Sequence, residues 1–139
     1  MKSKEYKIES IPQTVSDSEM IIYLNSSKFG NAQVKLFKSI VNTTDKIISE
    51  WFGISEKTFQ SYKNSKADLS INFKEKLLLL LSLYKKGEIV FGSKEDFNAW
   101  LAKPNFHFNN KPPVDYFKSI SGIRFIEDRL TGIEYGDNV

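Results

Sequence analysis

The chain contains no cysteine. That excludes a disulfide framework, a thiolate metal site and a thiol nucleophile. A single histidine, His107, leaves no imidazole cluster for zinc and little scope for acid–base work. Long hydrophobic runs are missing too. The longest, Leu77 to Leu81, is five residues, against the roughly 20 that span a bilayer. Nothing near the N-terminus reads as a secretory signal. The expectation is therefore a cytoplasmic protein that does not engage a membrane. Glycine numbers only seven, and none of these residues forms a phosphate cradle. Carboxylates such as Asp115 and Glu127 are present, but no nucleophile or cofactor loop accompanies them. No enzyme activity, cofactor or metal is expected.

What is present is a core. Of the 139 residues 40% are hydrophobic and 14% aromatic, enough for one globular unit and too apolar for a disordered tail. Net charge is +3, unevenly spread. Residues 1–93 carry 14 basic and 10 acidic side chains, and residues 94–139 carry 6 and 7. A positive first part suits phosphate contacts only where a groove-binding motif lies in the same region.

The hydrophobic spacing is helical throughout, with no alternating strand pattern, so the fold class is all-α. Ser16-Asp-Ser-Glu19 has the spacing of a capping box and opens a short helix through Leu24. An extended arm precedes it, ending at Pro12. Val34, Phe37, Ile40 and Val41 mark a second helix. Asn42-Thr-Thr44 offers a cap for a third helix, and Ser55 caps a fourth. Asn72 is the expected cap of a helix carrying Leu77–Leu81, Leu83 and Tyr84, stopped by Gly87 and followed by a bridge, Ile89-Val-Phe91. Seven of the eight residues from 77 to 84 are apolar. Such a helix must be covered on several sides, within the core or by a second subunit. Ser93 caps the next helix, with Phe97, Trp100 and Leu101. Pro112-Pro113 opens another, and the chain restarts at Ser121-Gly122 for a last helix closed by Gly136. Three parts are expected: an arm and short helix (1–30), a helix-turn-helix domain with its connecting helix (31–90), and a C-terminal domain (91–139).

Two segments carry function. Asp45 to Asn64 has the anatomy of a helix-turn-helix: small Ser49 where helices cross, Gly53 at the turn, and apolar Ile48, Phe52, Ile54, Phe59 and Tyr62. An ordinary αα-corner shares that pattern. In a DNA-binding unit the second helix enters the major groove, presenting Ser55, Lys57, Gln60, Ser61 and Asn64, with Lys63 and Lys66 on phosphates. Gln60 suits a bidentate contact to adenine. One unit binds weakly, so a homodimer on two half-sites of operator DNA is the expected form.

The second segment is Val90-Phe-Gly-Ser-Lys-Glu-Asp-Phe-Asn-Ala-Trp-Leu-Ala-Lys-Pro-Asn105, then Lys111-Pro-Pro-Val-Asp-Tyr-Phe117, Ser121-Gly-Ile123 and Leu130-Thr-Gly-Ile-Glu-Tyr-Gly136. It resembles the toxin-binding domain of Xre/MbcA/ParS-type antitoxins, in which a helix-turn-helix precedes this block. Two departures stand out: Phe108-Asn-Asn-Lys where the family often has Leu-x-Gly, and Ser119 where it often has Thr. The resemblance implies a type II toxin–antitoxin system. The partner would be a RES-domain toxin that degrades NAD⁺, or a related ADP-ribosylating toxin. The C-terminal domain would obstruct the toxin's site while the N-terminal domain regulates the operon. Candidate aromatic anchors are Trp100, Phe106 and Tyr116; ordinary core packing is the alternative for each, and the favoured one for Trp100. Arg124, Arg129 and the tail Tyr135, Gly136, Asp137, Asn138 and Val139 are candidates to enter an anionic nucleotide pocket. The other reading is a free-standing dimeric transcriptional regulator whose C-terminal block only dimerises it.

Overall fold

In a computed structural model, residues 11–26 and 29–139 are described. All but the last two residues of the expected N-terminal arm lie outside them. The described residues form seven α-helices and two 3₁₀ turns, with no strand beyond an isolated bridge between Asn105 and Lys111. The all-α expectation holds. The helices are α1 (Asp17–Leu24), α2 (Asn31–Ile40), α3 (Asp45–Phe52), α4 (Glu56–Asn64), α5 (Ile71–Phe91), α6 (Lys94–Ala102) and α7 (Ile120–Glu134). The 3₁₀ turns, Phe106–Phe108 and Pro113–Lys118, lie between α6 and α7.

Local signals set most helix starts. Ser16 makes the full capping box with Glu19, its Oγ accepting the Glu19 N–H at 3.2 Å. Thr44, Ser55 and Ser93 each accept an amide from the third residue of the helix they open.

The centre is α5. Leu77–Leu81, Leu83 and Tyr84 are all 3% exposed or less, covered by α1, α2, α6 and α7. Of the two covers open to this helix, one chain's own core is the one found.

Three details differ from the expected boundaries. The N-cap of α5 is Ser70, which accepts the Phe73 amide at 3.2 Å, and Asn72 is already helical. Gly87 does not stop α5, which runs on through Ile89-Val-Phe91 to a left-handed Gly92 at φ +88°. The Phe97 ring lies where a Cβ on Gly87 would be. Glycine is there to let α6 approach, a contact remote in sequence. Finally, Pro113–Lys118 is a 3₁₀ turn, and α7 begins at Ile120, capped by Ser119 Oγ on the Gly122 amide at 2.9 Å. A Cβ on Gly122 would overlap the Tyr116 carbonyl oxygen.

Aromatic rings continue the core across the chain. Phe37 meets Trp51, Phe52 and Tyr84 edge-on at 6.0–6.1 Å. Trp51 meets Phe117 at 4.9 Å. Beside this contact Lys76, on α5, donates to the Lys118 carbonyl at 2.6 Å and also to the Trp51 carbonyl. Burial lowers the pKa of Lys76. Asp45, in the first turn of α3, takes Lys38 of α2 at 2.9 Å and Lys63 of α4 at 2.8 Å. The Lys63 hydrogen bond is the main cause holding the Asp45 carboxyl below the usual range; burial opposes it and Lys38 assists.

Gly87→Ala is expected to destabilise the protein by about 1–2 kcal/mol, because overpacking against Phe97 exceeds the gain in helix propensity. Denaturant unfolding measures it; a more stable variant would show that the ring yields freely. Because the Asp45 pKa is lowered on folding, its contribution is complete above the unfolded value and is lost as pH falls through the folded one. The melting-temperature gap between wild type and Asp45→Asn should therefore be wide at pH 7 and shrink as the solution is taken below about pH 4.

Candidate functional site

The basic part of the chain builds one exposed surface. Ser49 is 3% exposed, its hydroxyl turned back to the Lys46 carbonyl, so α4 packs against α3 without obstruction. Gly53 takes φ +65°, and Ile54 N–H closes onto the Ser49 carbonyl at 3.1 Å. Ile48 and Phe59 are fully buried; Phe52, Ile54 and Tyr62 are partly buried and pack against the core. The helical pair expected from the spacing is thus formed.

Of the residues proposed to face a groove, Ser55, Lys57, Gln60, Ser61, Asn64 and Lys66 are exposed. Ser55 spends its oxygen as the cap of α4. Lys63 is placed differently. Its ammonium bonds Asp45 and lies 5.9 Å from the centre of the Phe59 ring, so it staples α4 to α3 rather than projecting outward.

The second surface belongs to the C-terminal block. Trp100 and Phe108 are buried, and Trp100 packs against Phe91, Phe97 and Phe108. Trp100 is therefore a core residue here. Tyr116 is half-buried and donates its hydroxyl to the Phe108 carbonyl at 3.0 Å. Phe106, by contrast, is 83% exposed at the tip of the loop that follows Pro104. Asn109 and Asn110 turn this loop at φ +56° and +62°, a conformation asparagine tolerates better than most residues. They occupy part of the Phe108-Asn-Asn-Lys departure. His107 is exposed.

The tail returns to the body of the domain. Gly136 reverses the chain at φ +102°, and the Asp137 amide reaches the Gly132 carbonyl at 3.0 Å. Arg129, whose side chain is only 15% exposed, takes the Asp137 carboxylate at 3.5 Å and donates to the Asn138 carbonyl. Its guanidinium is committed within the chain. Arg124 remains half-exposed, 3.9 Å from Asp17 of α1. Tyr135 and Val139 are 83% and 60% exposed.

Asn105 closes the Pro-Asn pair of the resemblance, but the spacing shows neither its link to the tail nor the role of Lys76: both depend on main-chain oxygens far away in sequence.

A groove of about 940 Å³ lies between α3 and α6, lined by Asn42, Glu50, Lys94, Asn98, Asp115 and Lys118 among others. Its charges are mixed in sign. Among the described residues no group of three His, Asp or Glu is placed to hold a metal, and no helix is long and apolar enough to cross a membrane.

Comparison with known proteins adds one finding. No curated protein matches the chain. Residues 86–136 match the family described as antitoxin Xre/MbcA/ParS C-terminal toxin-binding domain. The match begins inside α5 and takes in α6, the Phe106 loop and α7. This part of the chain is therefore an antitoxin toxin-binding domain of the Xre/MbcA/ParS family.

Proposed function

We propose that the chain is the antitoxin of a type II toxin–antitoxin system. It binds and blocks a RES-type NAD-degrading toxin, or a related ADP-ribosylating one, and represses its own operon through α3 and α4. The observation that carries the reading is the toxin-binding domain at residues 86–136, with the exposed Phe106 loop and tail upon it. A protein of this kind inhibits by covering a site. It needs a firm scaffold and a few protruding anchors, and it brings neither nucleophile nor cofactor. Phe106, Tyr135 and Val139 supply exposed apolar contact. Arg124 supplies the cation nearest to them in role, while Arg129, with Asp137 and Asn138, shapes the tail.

DNA binding rests on the exposed side chains of α4. Lys57 and Gln60 are exposed on α4, and Lys66 lies just beyond the helix. Glu56, also exposed, opposes phosphate approach at the N-terminal end. A homodimer on two half-sites gives the geometry such a unit requires. Because α5 is already covered within one chain, the dimer draws no support from that helix.

Purifying the chain together with the product of its neighbouring open reading frame tests the proposal. A stable complex and restored growth on co-expression are expected. If no complex forms and the chain still shifts its own promoter fragment, a free-standing regulator is the better reading. Lys57→Ala with Gln60→Ala should abolish specific promoter binding and leave the toxin complex intact; joint loss of both would make α4 structural. Truncation before Glu134 should raise the dissociation constant for the toxin by more than tenfold while the melting curve remains cooperative. Equal affinity after truncation would confine the contact to the Phe106 loop.

A further inference from the structure

The Phe106 loop and the C-terminal tail lie far apart in sequence, and hydrogen bonds join them. We propose that Asn105 is a positioning residue that fastens the tail to the loop, so that the two present one composite surface to the toxin. This rests on the antitoxin reading.

Asn105 closes the loop with its backbone. Its N–H donates to the Lys111 carbonyl at 3.1 Å, and its own carbonyl accepts from Phe108 and Asn110, both at 2.9 Å. The carboxamide then does two different things. Oδ1 accepts the His107 backbone N–H at 2.9 Å. A backbone amide can only donate, so this contact fixes which end of the side chain is oxygen. The other end must be the NH₂ group, and it donates to the Val139 main-chain oxygen at 3.3 Å. The same Val139 oxygen accepts the indole N–H of Trp100, again at 3.3 Å, from the buried face of α6. One oxygen thus gathers donors from two elements.

Nearer α7, Arg129 holds Asp137 and Asn138, and Gly132 accepts the Asp137 amide. Between Gly136 and Val139 the tail backbone is pinned repeatedly, while Phe106, Tyr135 and Val139 keep their side chains largely in solvent. Backbone held and side chains free is the arrangement of a preformed binding surface, which loses less conformational entropy on association than a flexible tail does. The loop and the tail are one surface, with Asn105 as the joint.

Two variants separate the joint from the fold. Asn105→Asp keeps an oxygen to accept the His107 amide but has no hydrogen for Val139. Truncation before Asp137 removes the acceptor and leaves Asn105 intact. With no partner present, the Trp100 indole proton should exchange with water markedly faster in the truncated protein than in the full chain. The Trp51 indole, packed on Phe37 and Phe117, is the internal control. With the neighbouring gene's product as probe, each variant should weaken the complex about tenfold, and the two together no more than truncation alone. Both should retain cooperative melting.

An unchanged Trp100 indole would overturn the tail's docking and the proposal with it. A faster indole with unaltered affinity in both variants would also overturn it, while leaving the antitoxin reading standing because the wild type still binds. If the wild type binds no neighbouring product, the antitoxin reading fails, and a toxin-facing role for Asn105 falls with it.

Discussion

Burial of α5 is the constraint on which everything else depends. A helix apolar on nearly all sides cannot face water, and here α1, α2, α6 and α7 cover it. Complete burial of a large aliphatic side chain is worth about 1.5–3 kcal/mol, and the run from Leu77 to Tyr84 supplies several in succession. The surrounding helices are short, and isolated helices of such length are marginal in water. Their order comes from packing on this axis. Both candidate surfaces are therefore held by the same core: the α3–α4 pair through Phe37 and Phe73, the C-terminal block through Tyr84, Phe97 and Phe117.

Polar contacts on the margins of that core have a different task. They set angles and positions. Asp45 ties the start of α3 to both α2 and α4. Lys76 caps carbonyls at the end of α3 and at the end of the second 3₁₀ turn, so one side chain spans the basic part and the toxin-binding part. Helix-end carbonyls lack intrahelical partners, and a lysine reaching them from a buried helix replaces water there. Arg129 serves the tail in the same manner. In each case a residue whose charge suggests an outside ligand is engaged within the chain.

In the antitoxin proposed above, an anchor would be effective when the main chain beneath it is fixed before the partner arrives. Phe108 is buried below the loop, Trp100 below the tail, and Arg129 and Asn105 bind the returning chain. Exposed aromatics on rigid supports differ from exposed aromatics on a mobile tail mainly in the entropy left to lose. The same distinction separates Lys57, which is exposed, from Lys63, which is held.

The sequence by itself determined the helical class, most of the helix starts, the glycine turn between α3 and α4, and the need to cover α5. These are local matters: a hydroxyl one turn ahead of an amide, a positive φ, a spacing of three and four. It also carried the toxin-binding resemblance, through the order of Trp-Leu, Pro-Asn and the later glycines. Only the tertiary structure decided that Gly87 lies inside a helix, that Lys63 and Arg129 are already engaged, that α5 is covered within one chain, and that the loop and the tail meet. Each of these depends on groups many residues apart. Which distant carbonyl or ring lies within reach of a side chain is settled by packing, and a one-dimensional pattern does not contain that information.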